Sequence, residues 1–541
     1  MSVFNRRNFI FFIFIGIISI PIVRRIFYWL KANKTTYNIP GTLSTASYKF
    51  GHLLWNMPLK KVHAVEETEI VIVGSGISAL SAALELKQKG IHNFKIIELE
   101  NTPGGNSRFS SNAHGKYPLG AHYLPIPSSD MTELIQFLKS IGVIESIDQH
   151  GQPIYNEEYL CSAPQDRLFI NGVWQNGLIP DYGVPENDKK EIKRFFEFTD
   201  ELKNKKGTDN KYLFDFPLER SSTDENTRKL DLVTMKDFLV AEGYRSEYLF
   251  WLIDYSCKDD YGTSIEEVSA WAGIHYFCAR RGNAVNASPH DVLTWPEGNG
   301  WLMQKMANQL QDKFISNALA FQIDESNDLI KVNYLNTQTK NIHQLKCKQV
   351  ILSCPQFVTK HIRSNISSLR ERPYSLFNYS SWMVGNMVVK NTLAEKNGAS
   401  LSWDNVIYKG KSLGYINSSH QYLQRFKPVL NLTYYYLFSE DKLNRKKVLL
   451  STHPDLSDLM MEDMKIVYPE LEKHLVRYDP FVWGHAMIKP VKGFIWSKEK
   501  AAAQKPIDNK IFFAHTDLSG ISTFEEAFYQ GIRVAKEIIN R

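Results

Sequence analysis

Two glycine turns, one carboxylate and a few histidines carry the chemistry this sequence could perform. Gly74-Ser75-Gly76-Ile77-Ser78-Ala79 has the spacing G-x-G-x-x-A. Gly74 permits a tight turn, Gly76 lets the backbone approach a pyrophosphate with no Cβ in the way, and Ala79 allows close helix–strand packing. Glu98 stands 22 residues after Gly76, where a carboxylate can bind both hydroxyls of a ribose. A glycine pair, Gly104-Gly105, starts six residues after Glu98, and Arg108 follows it. His122 comes next, after Gly120-Ala121. An imidazole with an ordinary pKa of about 6.5 could bind an amine or take a proton, or could simply satisfy a buried carbonyl.

The elements around these residues must be strand, glycine turn, helix, strand, acid. Ile70–Val73 is a β-branched run of the kind buried in a parallel sheet. A helical pattern runs from Leu80 to Gly90, and Phe94–Ile97 is a second strand ending at Glu98. The free N–H groups and dipole of that helix suit phosphates, so the unit reads as a dinucleotide site. Near the C-terminus, Lys510–Ala514 reads as a strand, His515–Gly520 as a turn, and Thr523 onward as a helix to the end. Gln349–Leu352 reads as another strand, with Cys354 after it as a core residue.

The chain has 541 residues, 43% of them apolar and 23% charged, which excludes a disordered chain and points to two to four domains. Five cysteines give no disulfide framework, and neither C-x-x-C nor H-E-x-x-H occurs, so no metal site is expected. No G-x-S-x-G elbow supports a serine hydrolase. Residues 1–34 hold Arg6, Arg7, Arg24, Arg25, Lys31 and Lys34 with no acid, which accounts for the whole net charge of +6. The remainder is formally neutral and offers nucleic acid no basic surface. Arg6-Arg7 precedes an apolar run from Phe9 to Val23, a pattern similar to a twin-arginine export signal. The expectation is a periplasmic or exported protein, with an uncleaved membrane anchor as the alternative. Residues 35–66 read as a linker.

The acid-to-Gly-Gly spacing, the stretch Pro118–Tyr123 and the C-terminal turn and helix resemble the flavin-containing amine oxidase and phytoene desaturase superfamily. The resemblance implies an α/β fold. A Rossmann-like FAD-binding domain would be assembled from residues 67–125, 296–356 and 481–541. An α+β substrate domain would be assembled from 126–295 and 357–480. The implied cofactor is FAD, held non-covalently, with contacts at Gly74, Gly76, Ser78, Ala79, Glu98, Gly104, Gly105, Arg108, Gly120, Ala121, Asp517 and Phe524. It also implies that His122, Trp483 and His485 lie beside the flavin. The family often has a lysine near the reactive flavin nitrogen, and the strand Trp382–Met387 puts Asn386 there. Further pocket candidates are Trp271–Phe277, the turn Pro296–Trp301 and Trp403-Asp404-Asn405. The implied activity is removal of a hydride from an amine-type small molecule, with an acceptor such as oxygen. The alternatives are a desaturase or isomerase acting on an apolar alkene or polyene, and a flavin-bound protein without turnover.

Overall fold

Ile70–Val73 is buried at every residue, which is why its sequence is continuously β-branched. It lies third in a wholly parallel sheet ordered Phe314–Ile315, Phe94–Ile97, Ile70–Val73, Gln349–Leu352, Ile511–Phe513. The chain leaves Ile70–Val73 toward Phe94–Ile97 on one side and later fills the other side. The crevice at the carboxyl ends beside Val73 is therefore the switch point at which such sheets bind ligands. The computed structural model describes residues 37–57, 61–392, 396–422, 427–438 and 442–541. The paired arginines and the apolar run after them lie outside those residues. Among the described residues no helix is long and apolar enough to cross a membrane.

The helix Ile77–Gln88 and the C-terminal helix Phe524–Ile539 pack tightly on one another. A Cβ on Gly531 would lie 2.1 Å from the Ser78 carbonyl oxygen, so only glycine allows this approach. Ser81 Oγ donates to the Phe528 carbonyl across the same contact at 2.8 Å. An antiparallel meander, Ala318–Ser326, Leu329–Asn336 and Ile342–Cys347, adjoins this unit.

The second large sheet has eight strands, ordered Ser44–Thr45, Leu475–Ile488, Tyr379–Lys390, Val429–Phe438, Tyr415–Asn417, Asp404–Ile407, Asp166–Ile170, Val173–Asn176. Strand alternation divides its side chains. Met383, Met387, Leu432 and Tyr434 face a core that includes Met460 and Met464 of the helix His453–Met464. Trp382, Val384, Tyr435, Phe481 and Trp483 face the opposite way.

Two expected boundaries are corrected. Residues 35–66 are not simply a linker: Ser44–Thr45 pairs with Phe481–Val482, and Val62–Glu67 pairs with Ile342–Lys346 as the fourth strand of the meander. The second strand escapes a periodicity reading because it is an edge strand with most residues exposed. Residues 481–488 belong to the eight-stranded sheet, because Leu475–Ile488 is one unbroken strand across that boundary.

Candidate active site and cofactor groove

The glycine turn after Ile70–Val73 presents bare backbone. Gly76 caps the helix Ile77–Gln88 without any side-chain hydrogen bond, leaving the first helical N–H groups free. A Cβ built on Gly76 meets no protein atom within 4 Å, so it would project into open space. Gly105 has φ +54°, and its Cβ position lies 3.2 Å from the Gly76 Cα, so the two turns approach as naked backbone. Gly104 has φ +132° and Gly74 φ +102°, conformations that favour glycine.

Glu98 is buried beside this opening. Ser75 Oγ donates to one carboxylate oxygen and the Glu100 N–H donates to the other at 2.8 Å. Burial raises its carboxyl above the ordinary value, against these hydrogen bonds. Arg108 pairs with Glu100 at 3.1 Å, and its Nε donates to the Gly105 carbonyl at 3.2 Å. Its guanidinium also lies over the rings of Phe481 and Trp483. Arg108 thus braces the second glycine turn from behind. Ser78 and Ala79 are buried in the first turn of the helix, Ser78 against the C-terminal helix.

Gly120, Ala121, His122, Trp483 and Phe524 line one cavity. A Cβ on Gly120 would lie 2.2 Å from the Asn106 carbonyl oxygen, so glycine is required there. The His122 ring lies 4.6 Å from Tyr435, 5.1 Å from Tyr123 and 5.6 Å from Trp403. Burial pushes its pKa down to about 4, so it is neutral at physiological pH. Trp483 Nε1 donates to the Leu119 carbonyl at 2.5 Å. Phe524 opens the C-terminal helix, which is capped by Thr523.

Two expected site residues lie elsewhere. The His485 ring stacks on Phe357 at 4.0 Å instead of lining the cavity, and burial pushes its pKa to about 3. The cause is a bulge: Trp382 pairs with Trp483 but Ser380 pairs with Met487, so alternation breaks and Ala486 and Met487 face the cavity. Asp517 is 1% exposed and satisfied from within the protein. It accepts from the Gln356 N–H at 2.7 Å and the Tyr379 hydroxyl at 2.5 Å, and lies 3.0 Å from His515 Nδ1.

Asn386 is likewise not at the cavity. Its amide donates to Asn431, while Val384 and Trp382 reach the lining, which contains no lysine among the described residues. Trp271 and His275 are fully buried core, His275 bonding the Asp215 carbonyl at 3.0 Å. Sequence reading missed Asn106, Asp259, Asp260 and Arg280, all of which line the cavity. The acid pair Asp259-Asp260 at the end of the apolar helix Glu247–Tyr261 was the available signal.

A parallel sheet with open space over bare glycine backbone at its switch point, together with an aromatic chamber, defines a dinucleotide-dependent enzyme class. The chain matches the model of the flavin containing amine oxidoreductase family over residues 77–539 and belongs to that family. It is an FAD-dependent oxidoreductase. Among solved structures it resembles wild-type putrescine oxidase bound to putrescine, at 15% identity and TM-score 0.64 over 88% of this chain and 100% of that one. Cyclohexylamine oxidase from Brevibacterium oxydans IH-35A gives 16% identity and TM-score 0.62 over 88% and 99%. A CLA-producing fatty acid isomerase from P. acnes gives 16% identity and TM-score 0.58 over 87% and 98%. At these identities the likeness shows the fold alone. No curated protein matches the chain in sequence. The residues present fit FAD: open space beside Gly76, uncapped helical N–H groups and a buried carboxylate at Glu98 are the cradle a dinucleotide needs.

Proposed function

We propose that the protein oxidises an amine, with the hydride leaving the carbon that bears the nitrogen. The observation that carries this reading is the charge of the cavity. Its walls include Tyr123, Trp382, Tyr435, Trp483 and Phe524, yet its lining sets Asp259, Asp260 and Glu525 against the single cation Arg280. Arg280 is taken by Asp260 at 2.8 Å. Among the described residues no cation is bonded to Asp259. Burial first, then repulsion from Asp260, pushes its carboxyl up to about 7. An ammonium group offers the missing positive charge, and aromatic faces attract it within about 6 Å. The likeness to oxidases of putrescine and cyclohexylamine supports the same reading.

FAD, when bound, supplies the hydride acceptor. Gly76 and Gly105 would face its diphosphate, Glu98 its ribose, and Gly120, Ala121 and the helix start at Phe524 its ring end. The aromatic walls exclude water from the reacting carbon. His122, being neutral, extends that wall and leaves the substrate's charge to Asp259. An amine must lose its ammonium proton before oxidation, and the Asp259 carboxylate, titrating near neutrality, is placed to hold it.

Anaerobic mixing with primary amines, diamines and an apolar alkene tests the reading. At least one amine bleaches the bound flavin, and readmitted oxygen releases peroxide. Bleaching by the alkene with none by any amine would overturn it. Asp259→Asn keeps its flavin and raises KM for the amine at least tenfold. The sign of the pH effect follows from the raised pKa. Asp259 in the free enzyme is ionised above about pH 7, so KM for a cationic amine falls as pH rises through that value. The asparagine variant loses this dependence.

We also propose export through the N-terminal segment, motivated by Arg6-Arg7 and the apolar run after them. Arg6→Lys combined with Arg7→Lys then leaves the protein in the cytoplasm on fractionation. Undiminished export of the double variant would favour a plain anchor.

A further inference from the structure

Residues 37–57 precede the family-matched region, which begins at residue 77. They are fixed to both lips of the cofactor groove. On one lip, Ser47 donates its N–H and its Oγ–H to the Glu100 carboxylate, each at 2.8 Å. That carboxylate is the one Arg108 pairs with, and the Glu100 N–H is the one that holds Glu98. Just before Ser47, Ser44–Thr45 pairs with Phe481–Val482, on the strand that carries Trp483.

The helical turns Tyr48–Gly51 and His52–Trp55 then lead away to the other lip. There Trp55 sets its ring edge-on to His361 at 5.7 Å, with His52 stacked on it at 4.3 Å. His52 lies within electrostatic reach of His485, which stacks on Phe357. Buried Leu54 and Met57 pin the end of the segment against Leu319 and Phe321 of the meander. Arg363 locks it further by donating to the Met57 carbonyl at 2.7 Å. The two lips converge at Cys354, which feels the charges of both Glu98 and Asp517. The segment therefore runs from the Glu98 side of the switch-point crevice to the Phe357–His361 side.

We infer that residues 44–55 are a strap across the dinucleotide groove and form part of the FAD site, a wall that the family-matched region does not supply. The strap closes over the adenosine-diphosphate half of the cofactor, and its hold on Glu100 couples it to the carboxylate that meets the ribose. FAD leaves only when the Ser47–Glu100 contact opens.

Limited trypsin digestion of the full chain, with FAD and after its removal, tests this. Lys49 is exposed within the strap, and Lys205 and Lys206 are exposed in a remote loop of the substrate side. FAD slows cleavage after Lys49 at least tenfold and changes cleavage at Lys205 and Lys206 less than twofold. Equal protection at both sites, or none at Lys49, would overturn the strap. A variant reads the same contact by release rate. Ser47 has φ −69°, within proline's range, so Ser47→Pro removes both donors and sets its Cδ where Glu100 accepted the N–H, parting the strap from Glu100. It speeds FAD release at least tenfold when free FAD is diluted away, while the flavin-free variant keeps the circular-dichroism spectrum of the parent. An unchanged release rate in a folded Ser47→Pro protein refutes the proposal. If that variant does not fold, the digestion of the unaltered chain decides.

Discussion

Gly76→Leu yields a folded, colourless protein. The position has φ −70°, open to any residue, and a Cβ there meets no protein atom within 4 Å. The fold therefore loses only N-cap quality, about 1 kcal/mol. The leucine side chain instead fills the space over the free N–H groups of the helix Ile77–Gln88, where the diphosphate must lie. FAD affinity falls at least about a thousandfold, roughly 4 kcal/mol. Gly74→Ala is the informative contrast. At φ +102° a Cβ would lie 2.7 Å from the Ser353 carbonyl oxygen, so that variant loses fold as well as flavin. Flavin absorbance and circular dichroism of the two purified variants separate the cases. Full flavin content in Gly76→Leu would show that the opening is not the cofactor's path.

Trp483→Ala couples a stability loss to a cofactor loss. The indole is 7% exposed, donates to the Leu119 carbonyl at 2.5 Å, and supports the Arg108 guanidinium 5.1 Å from its ring centre. Truncating a buried tryptophan costs about 3–5 kcal/mol, part of it from the space left behind. Arg108 then loses its bed beside the Gly104–Gly105 turn, so flavin binding weakens together with the urea midpoint. Trp483→Phe keeps most of the ring area and the Arg108 contact. It leaves the Leu119 carbonyl without its donor, a loss of about 1 kcal/mol, and retains its flavin. A Trp483→Ala protein with an unchanged urea midpoint would refute this account.

The nucleotide-binding half was legible because its signals are local. A buried parallel strand must be apolar throughout, a phosphate turn must be glycine, and both fall within a few residues of one another. The helices Thr132–Ser140 and Glu186–Lys203 are legible for a similar reason, each carrying an apolar stripe at helical spacing. The substrate half was less legible because strand partners decide which side chains face the cavity. Asn386 sits on the expected strand but is turned elsewhere, and His485, on a strand the sequence reading did not name, is turned away by a bulge that no single strand reveals. Asp259 and Asp260 read as the polar end of a helix until Tyr123, Trp382 and Tyr435 are brought around them. Residues 44–57 show no periodicity because their strand is two residues long and their helical turns four each, too short for a period to appear.

The parallel sheet has one consequence for the timing of maturation. Its edge strand Ile511–Phe513 and the helix Phe524–Ile539 are synthesised long after the elements they meet: the strand pairs with Gln349–Leu352 and the helix packs on Ile77–Gln88. At about 5–20 residues per second, the helix Ile77–Gln88 waits on the order of tens of seconds for the helix that packs on it. Once Gln349–Leu352 is made, its edge is open to mispairing until Ile511–Phe513 follows, and the helix that begins at Phe524 comes later still. Flavin loading is therefore expected only after the helix Phe524–Ile539 has been made and has packed on Ile77–Gln88, and a ribosome-stalled chain that stops short of Ile511 is expected to engage chaperones and bind no flavin.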